Sequence, residues 1–210
     1  MIVAYVGFER CDIAYYISKL SIGLNMRTLI VDNSISGDFF RSLSDTTDRI
    51  REFNNFTIIR GLNVREDDIE DFENVIIYHG LSRYDEKYQI TPDYVYVSTT
   101  MSPHVIYDTA AALAKAGFDK VKNQILVLED EVQKKYSLQQ IASDIGIVPV
   151  NGYALPLNEV DHNKYEMLCS NGQVPMKNVS ADMKELIAEA AKEIFGVQNP
   201  KAANKFISKL

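Results

Sequence analysis

Cysteine is scarce in this chain. Its 210 residues contain two, Cys11 and Cys169, far apart and without the close spacing of a metal site. Two reduced thiols in a cytosolic protein are expected. Long apolar runs are missing too: none approaches the ~20 residues needed to span a bilayer. The apolar N-terminal stretch has neither a basic flank nor a small-residue cleavage site, so no signal peptide is expected. Positive charge is short, with 22 Lys and Arg against 29 Asp and Glu and a net charge of −7. Bulk attraction to a phosphate backbone needs the opposite balance, so nucleic acid is disfavoured as a main partner. There is no G-x-G-x-x-G, no G-x-S-x-G elbow and no Cys/His metal spacing, the usual marks of dinucleotide binding, serine hydrolysis and zinc sites.

What is present is an alternation of strand and helix patterns. Apolar β-rich runs occur at 2–6, 27–32, 56–61, 74–80, 94–99 and 124–130, of the kind buried on both faces of a parallel sheet. Residues 147–156 form a further strand interrupted by prolines, which places it at a sheet edge or strand end. Ile13, Ile17, Leu20 and Leu24 follow at helical spacing. Residues 103–116 predict a helix stopped by Gly117, and 137–146 a helix capped by Ser137 with Gln140 three residues on. Residues 181–196 predict a helix between Ser180 and Gly196. A helix is expected over 157–169, and a short acidic helix or turn over 64–72. Alternating strands and helices imply right-handed crossovers, hence a doubly wound, mostly parallel α/β sheet with helices on both faces, a Rossmann-like three-layer sandwich. No repeat or flexible linker divides the chain, so a single domain over 1–210 is expected, with a short basic amphipathic tail at 199–210.

In such folds ligands sit beyond the carboxyl ends of the strands. The first strand ends at Gly7-Phe8-Glu9-Arg10-Cys11-Asp12. A phosphate loop reads G-x-x-x-x-G-K followed by Ser or Thr; its N–H groups wrap the phosphates, its Lys neutralises them and its hydroxyl holds Mg²⁺. Here the second glycine is absent, the loop is short, Arg10 is the only cation, and Glu9 and Asp12 carry the charge of the ligand. A plain strand-to-helix turn is the expectation, with weak anion binding at the helix start as the alternative. The second strand ends at Asp32-Asn33-Ser34, with Gly37 and Asp38 beyond. Asp32 is expected to cap the following turn, the other reading being a Mg²⁺ or water ligand. The 74–80 strand ends in Tyr78 and His79 where a nucleotide hydrolase would place a Mg²⁺-holding Asp. His79 reads as a buried histidine satisfied by hydrogen bonds.

On these pieces the chain resembles the MinD/ParA family of deviant P-loop ATPases, with TadZ/CpaE-type proteins of bacterial pilus assembly as the nearest branch. IVAYVG stands where that family has its first strand and phosphate loop, RTLIVDNSISGDF resembles its strand ending in an acidic motif, and ITPDYVYVSTTMSPHVIYDTAAAL carries the most persuasive likeness. SLQQIASDIGIVPVNGYALPLNEVDHNKYEMLCSNGQVPM resembles its C-terminal segment. The departures are systematic. Arg10 and Cys11 fall near the loop Lys and Thr after a deletion, Tyr78-His79 replaces the second Asp, and Glu129 falls near the adenine-reading Asn; only Asp32 survives.

The resemblance therefore implies a cytoplasmic bacterial protein, a non-catalytic scaffold or localisation factor in a pilus, secretion or conjugation system. It would have no cofactor, act through protein partners and form a homodimer. In that case side chains such as Phe8 and Tyr78 fill the space beside Gly7. The alternative is an atypical ATP-binding ATPase of cell-division or plasmid-partition type, with Mg²⁺-ATP held by Gly7, Arg10, Asp32 and Asp38. In the tail, Lys201, Lys205 and Lys209 recur at every fourth position beside Phe206, Ile207 and Leu210. That pattern offers a docking element for a partner or for the membrane periphery.

Overall fold

Eight strands and six helices succeed one another in a computed structural model that describes residues 1–43, 48–53, 56–81, 88–131, 137–171 and 178–197. The strands are β1 (Ile2–Gly7), β2 (Thr28–Asp32), β3 (Ile50–Glu52), β4 (Phe56–Arg60), β5 (Asn74–Gly80), β6 (Tyr94–Thr99), β7 (Gln124–Glu131) and β8 (Asn151–Pro156). The helices are α1 (Asp12–Gly23), α2 (Asp38–Leu43), α3 (Pro103–Ala116), α4 (Leu138–Ile145), α5 (Glu159–Asn171) and α6 (Ala181–Phe195). The strands form one sheet in the order β3-β4-β2-β5-β1-β6-β7-β8. All pairings are parallel except that of β3 with β4.

The sheet is covered on both faces, as the continuous apolar runs require. In β1, Val3 and Tyr5 point into one apolar layer and Ala4 and Val6 into the other. The first layer is closed by α1 through Ile13, Ile17 and Leu20 and by α6 through Leu186 and Ile187. The second is closed by α3 through Leu113 and Ala116 and by α4 through Ile141 and Ile145. The expected three-layer α/β sandwich is therefore the architecture found.

Helix boundaries follow their caps. Ser137 Oγ accepts from Gln140 N–H at 3.2 Å and Ser180 Oγ from Met183 N–H at 3.1 Å. Gly117, Gly146 and Gly196 end their helices in the left-handed conformation. β8 lies at the sheet edge, where its prolines placed it. The acidic segment forms a short 3₁₀ turn at Glu66–Asp68. Two elements were not expected. β3 has every residue exposed and so carries no apolar signal, and α2 is six residues long. No helix among the described residues is long and apolar enough to cross a membrane. The tail residues Lys201, Lys205, Phe206, Ile207, Lys209 and Leu210 lie outside the described residues.

Candidate functional site

The site is the carboxyl edge of the sheet around β1. Gly7 turns the chain there with φ +111, and a Cβ on it would stand 1.9 Å from the Ser98 carbonyl oxygen and 2.9 Å from Thr109 Cγ2 of α3. Only glycine allows that approach. Phe8 N–H donates to the Ser98 carbonyl at 2.8 Å, and Arg10 N–H donates to the Phe8 carbonyl at 2.9 Å. A phosphate-wrapping loop aims its N–H groups at the ligand; this one commits those two to its own chain. Beneath it Tyr5 stacks on Tyr96 with centroids 5.0 Å apart, and Tyr78 meets Phe39 edge-on at 5.3 Å. The described side chains leave a cavity of about 10 Å³ there, with Phe8, Tyr78, Tyr96 and Glu129 in its wall. That is space on the scale of one water.

Arg10 is buried. Its Nη2 lies 2.6 Å from Asp12 Oδ2, its Nη1 2.9 Å from Asp130 Oδ1, and its Nε 3.2 Å from Glu129 Oε2. The last contact is an ion pair without hydrogen-bond alignment, leaving both atoms without a hydrogen-bond partner. The guanidinium also lies over the Tyr165 ring, 5.5 Å from its centroid. Burial alone would lower its pKa, but the charges of Asp12, Glu129 and Asp130 outweigh that and hold it above its ordinary value. Two β7 residues reach Arg10 because the β7–β8 register shifts between Leu128 and Glu131, with Asp130 at φ +53. Such a bulge re-aims side chains at the end of a strand. Glu129 has no exposure and takes a hydrogen bond from Ser98 Oγ. Burial and then the nearby Asp12 charge raise its pKa, against the opposing effect of Arg10.

On the other side of β1, Asp32 is fully buried and capped. Oδ1 accepts from Ser34 N–H (2.9 Å) and Ser34 Oγ–H (2.6 Å), and Oδ2 from Phe40 N–H (2.7 Å). Arg60 Nη1 is 3.2 Å from Oδ1 and also donates to the Asp32 carbonyl at 2.9 Å. Burial raises the Asp32 pKa, and the hydrogen bonds from Ser34 and Phe40 and the charge of Arg60 work against it. The carboxylate thus caps the turn leading into α2. Asp38, in the first turn of α2, pairs with Arg41 at 2.6 Å. Gly7 and Arg10 share the β1–α1 loop, but Arg10 faces β7 while Asp32 faces β4. Arg10 is thus paired with Asp12 and β7, Asp32 with its own turn and Arg60, and Asp38 with Arg41.

Glu9, read in the sequence only as an unhelpful negative charge, accepts three backbone hydrogen bonds. They come from Ile35 N–H (3.0 Å), Ser36 N–H (3.2 Å) and Leu81 N–H (3.2 Å). His79 is fully buried. Its Nδ1 lies 3.1 Å from the Tyr88 hydroxyl while Nε2 has no hydrogen-bond partner, so the expected satisfaction holds for one ring nitrogen only. Burial lowers its pKa to about 4. The two cysteines, distant in sequence, lie close enough in space for each to shift the other's ionisation, and Tyr165 acts on Cys169 as well. That proximity and burial raise Cys11, whereas the same proximity lowers Cys169. Both thiols are free. Away from β1, an open cavity of about 300 Å³ lies between α3 and α4, walled by Ile106, Tyr107, Ile141 and Asp144. Among the described residues no group of three or more His, Cys, Asp or Glu is placed to hold a metal ion.

No protein-family model matches the chain, and no curated protein matches it in sequence. In fold it is similar to several solved structures. One is a chain of the MinC:MinD cell division protein complex of Aquifex aeolicus, with a TM-score of 0.63 and 9% identity over 95% of this chain and 97% of that one. A second is the ParA family ATPase from Chlorobium tepidum TLS, with a TM-score of 0.56 and 13% identity over 88% and 95% of the two chains. A third is the septum site-determining protein MinD complexed with Mg-ADP from Pyrococcus horikoshii OT3, at 0.55 and 12% over 92% and 96%. The architecture is that of MinD- and ParA-type ATPases.

Proposed function

We propose that this chain is a MinD/ParA-like protein that works by binding and positioning other proteins, without nucleotide chemistry of its own. The observation that carries this reading is the state of Arg10. The one cation of the loop is buried and paired with Asp12, Glu129 and Asp130. A ligand phosphate would have to displace carboxylates already in contact with it, in a cavity of about 10 Å³. Asp32 supports the same reading, since both its oxygens already accept hydrogen bonds that shape the turn into α2. Protein partners fit a fold that includes a chain of the MinC:MinD complex, and a homodimer is the proposed working state. A pilus, secretion or conjugation system is the proposed setting, resting on the sequence resemblance alone. Docking of the tail through Lys201, Lys205, Phe206, Ile207, Lys209 and Leu210 is likewise a proposal from sequence.

The test is calorimetric titration of the purified protein with Mg²⁺-ATP and Mg²⁺-ADP, paired with thermal shift. The expected result is no heat and no shift. Binding with a micromolar Kd would overturn the reading and return Gly7, Arg10, Asp32 and Asp38 to the ATPase alternative.

A further inference from the structure

Three backbone N–H groups from two different loops converge on one carboxylate. Glu9 Oε1 accepts from Ile35 N–H and Leu81 N–H, and Oε2 from Ser36 N–H. Ile35 and Ser36 follow β2, Leu81 follows β5, and Glu9 itself lies between β1 and α1. Gly80 admits the side chain: at φ +59, a Cβ there would stand 2.8 Å from Oε1 and 2.9 Å from Cγ. The far side of the same loop is braced, with Arg60 Nη2 on the Ser34 carbonyl at 2.6 Å and Arg41 Nη2 on the Ser36 carbonyl at 2.7 Å. The Glu9 carbonyl in turn accepts from the Tyr165 hydroxyl at 3.2 Å, which ties the loop to α5.

Convergent backbone N–H groups make a seat for an anion. When a bound phosphate supplies that anion, it orders the loops around it, and they relax when it leaves. We propose that Glu9 is a resident anion: its carboxylate occupies an oxyanion seat built by the loops after β2 and β5 and holds both against the β1–α1 loop without any ligand. Ile35, Ser36 and Leu81 then keep permanently the positions that a transient phosphate would impose. Vacated, the seat takes a small oxyanion such as inorganic phosphate, because the three backbone groups aimed at it are all donors. This goes beyond the binding-scaffold reading and does not depend on its being right.

The test is amide hydrogen exchange at Ile35, Ser36 and Leu81 in the wild type, Glu9→Ala and Glu9→Gln, each with and without inorganic phosphate. All three amides are expected to exchange about tenfold or more faster in Glu9→Ala. Phosphate is expected to slow them again in that variant and to leave the wild type unchanged. Glu9→Gln, which keeps one acceptor oxygen, should fall between, and it decides the matter by the same amides if Glu9→Ala does not fold. Unchanged exchange in the variants would overturn the proposal. So would faster exchange that phosphate does not reverse, since the seat would then hold a tether and not recognise an anion. Heat on adding Mg²⁺-ATP to the wild type would sink the scaffold reading while leaving these three amides to speak for Glu9 alone.

Discussion

Two ion-pair clusters flank β1, and they are built to opposite rules. On the β2 side a single carboxylate, Asp32, meets a surplus of donors: Ser34, Phe40 and Arg60. On the β7 side a single guanidinium, Arg10, meets a surplus of carboxylates: Asp12, Glu129 and Asp130. The first is a solved hydrogen-bonding problem, and its charge partner Arg60 is partly exposed. The second gathers three carboxyl groups on one buried cation, with Glu129 Oε2 left outside any hydrogen bond. Satisfaction of donors and acceptors makes the first cluster tolerant. Dependence on one cation makes the second brittle.

Breaking the brittle cluster gives the largest expected effect. Arg10→Ala leaves buried carboxylates uncompensated and should cost about 3–5 kcal/mol in urea unfolding. A loss below 1 kcal/mol would erase the contrast. Next comes acid sensitivity at His79, on the strand between the clusters. Its folded pKa is lowered to about 4 against an ordinary value of about 6.5. The folded protein therefore refuses a proton that the unfolded chain accepts, and stability drops as pH falls from about 6.5 toward 4. The loss for this one group reaches about 3 kcal/mol, read as the difference in pH slope between wild type and His79→Gln. Arg60→Ala, the counterpart of the first change, should cost only about 1–2 kcal/mol, because Asp32 keeps its bonds from Ser34 and Phe40. A loss equal to that of Arg10→Ala would show the two clusters to be alike. Smallest is Glu129→Gln, which relieves the carboxylate excess and should change stability by less than about 1 kcal/mol at neutral pH. It should also flatten the fall in stability between about pH 4.5 and about 8. Wild-type Glu129, with its pKa raised, stabilises fully below the ordinary carboxylate range and loses that contribution as the pH rises through its folded value. An unchanged slope in Glu129→Gln would assign the titration elsewhere.

The contrast also explains what the sequence made legible. β1, β5 and β6 read correctly because burial on both faces writes a continuous apolar run, and α4 and α6 because Ser137 and Ser180 cap them locally. Asp32 as a turn cap was legible in Asp-Asn-Ser, since its partners lie two and eight residues away. β3 was not, because its residues are all exposed and so write no apolar run. α2 was missed for a related reason: its first turn is secured by the side chain of Asp32 acting on Phe40 N–H, a contact from outside the helix. Arg10 was recognised as the loop's cation, but Asp130 stands 120 residues away and reaches it only through a bulge. Glu9 was misjudged because its charge was weighed against an imagined ligand, and the glycine that makes room for it, Gly80, sits at the end of another strand.

The tyrosine stack beneath the loop has a spectroscopic consequence. The chain contains no tryptophan, so its near-ultraviolet signal comes mainly from tyrosine, and Tyr5, Tyr78 and Tyr96 are buried directly below Gly7 and Phe8 with their ionisation pushed upward by burial. Rings fixed in an asymmetric, water-poor setting give strong circular dichroism in that range. The floor of the site is therefore a built-in optical probe, and a partner that shifts the β1–α1 loop writes its arrival into the tyrosine spectrum without any label.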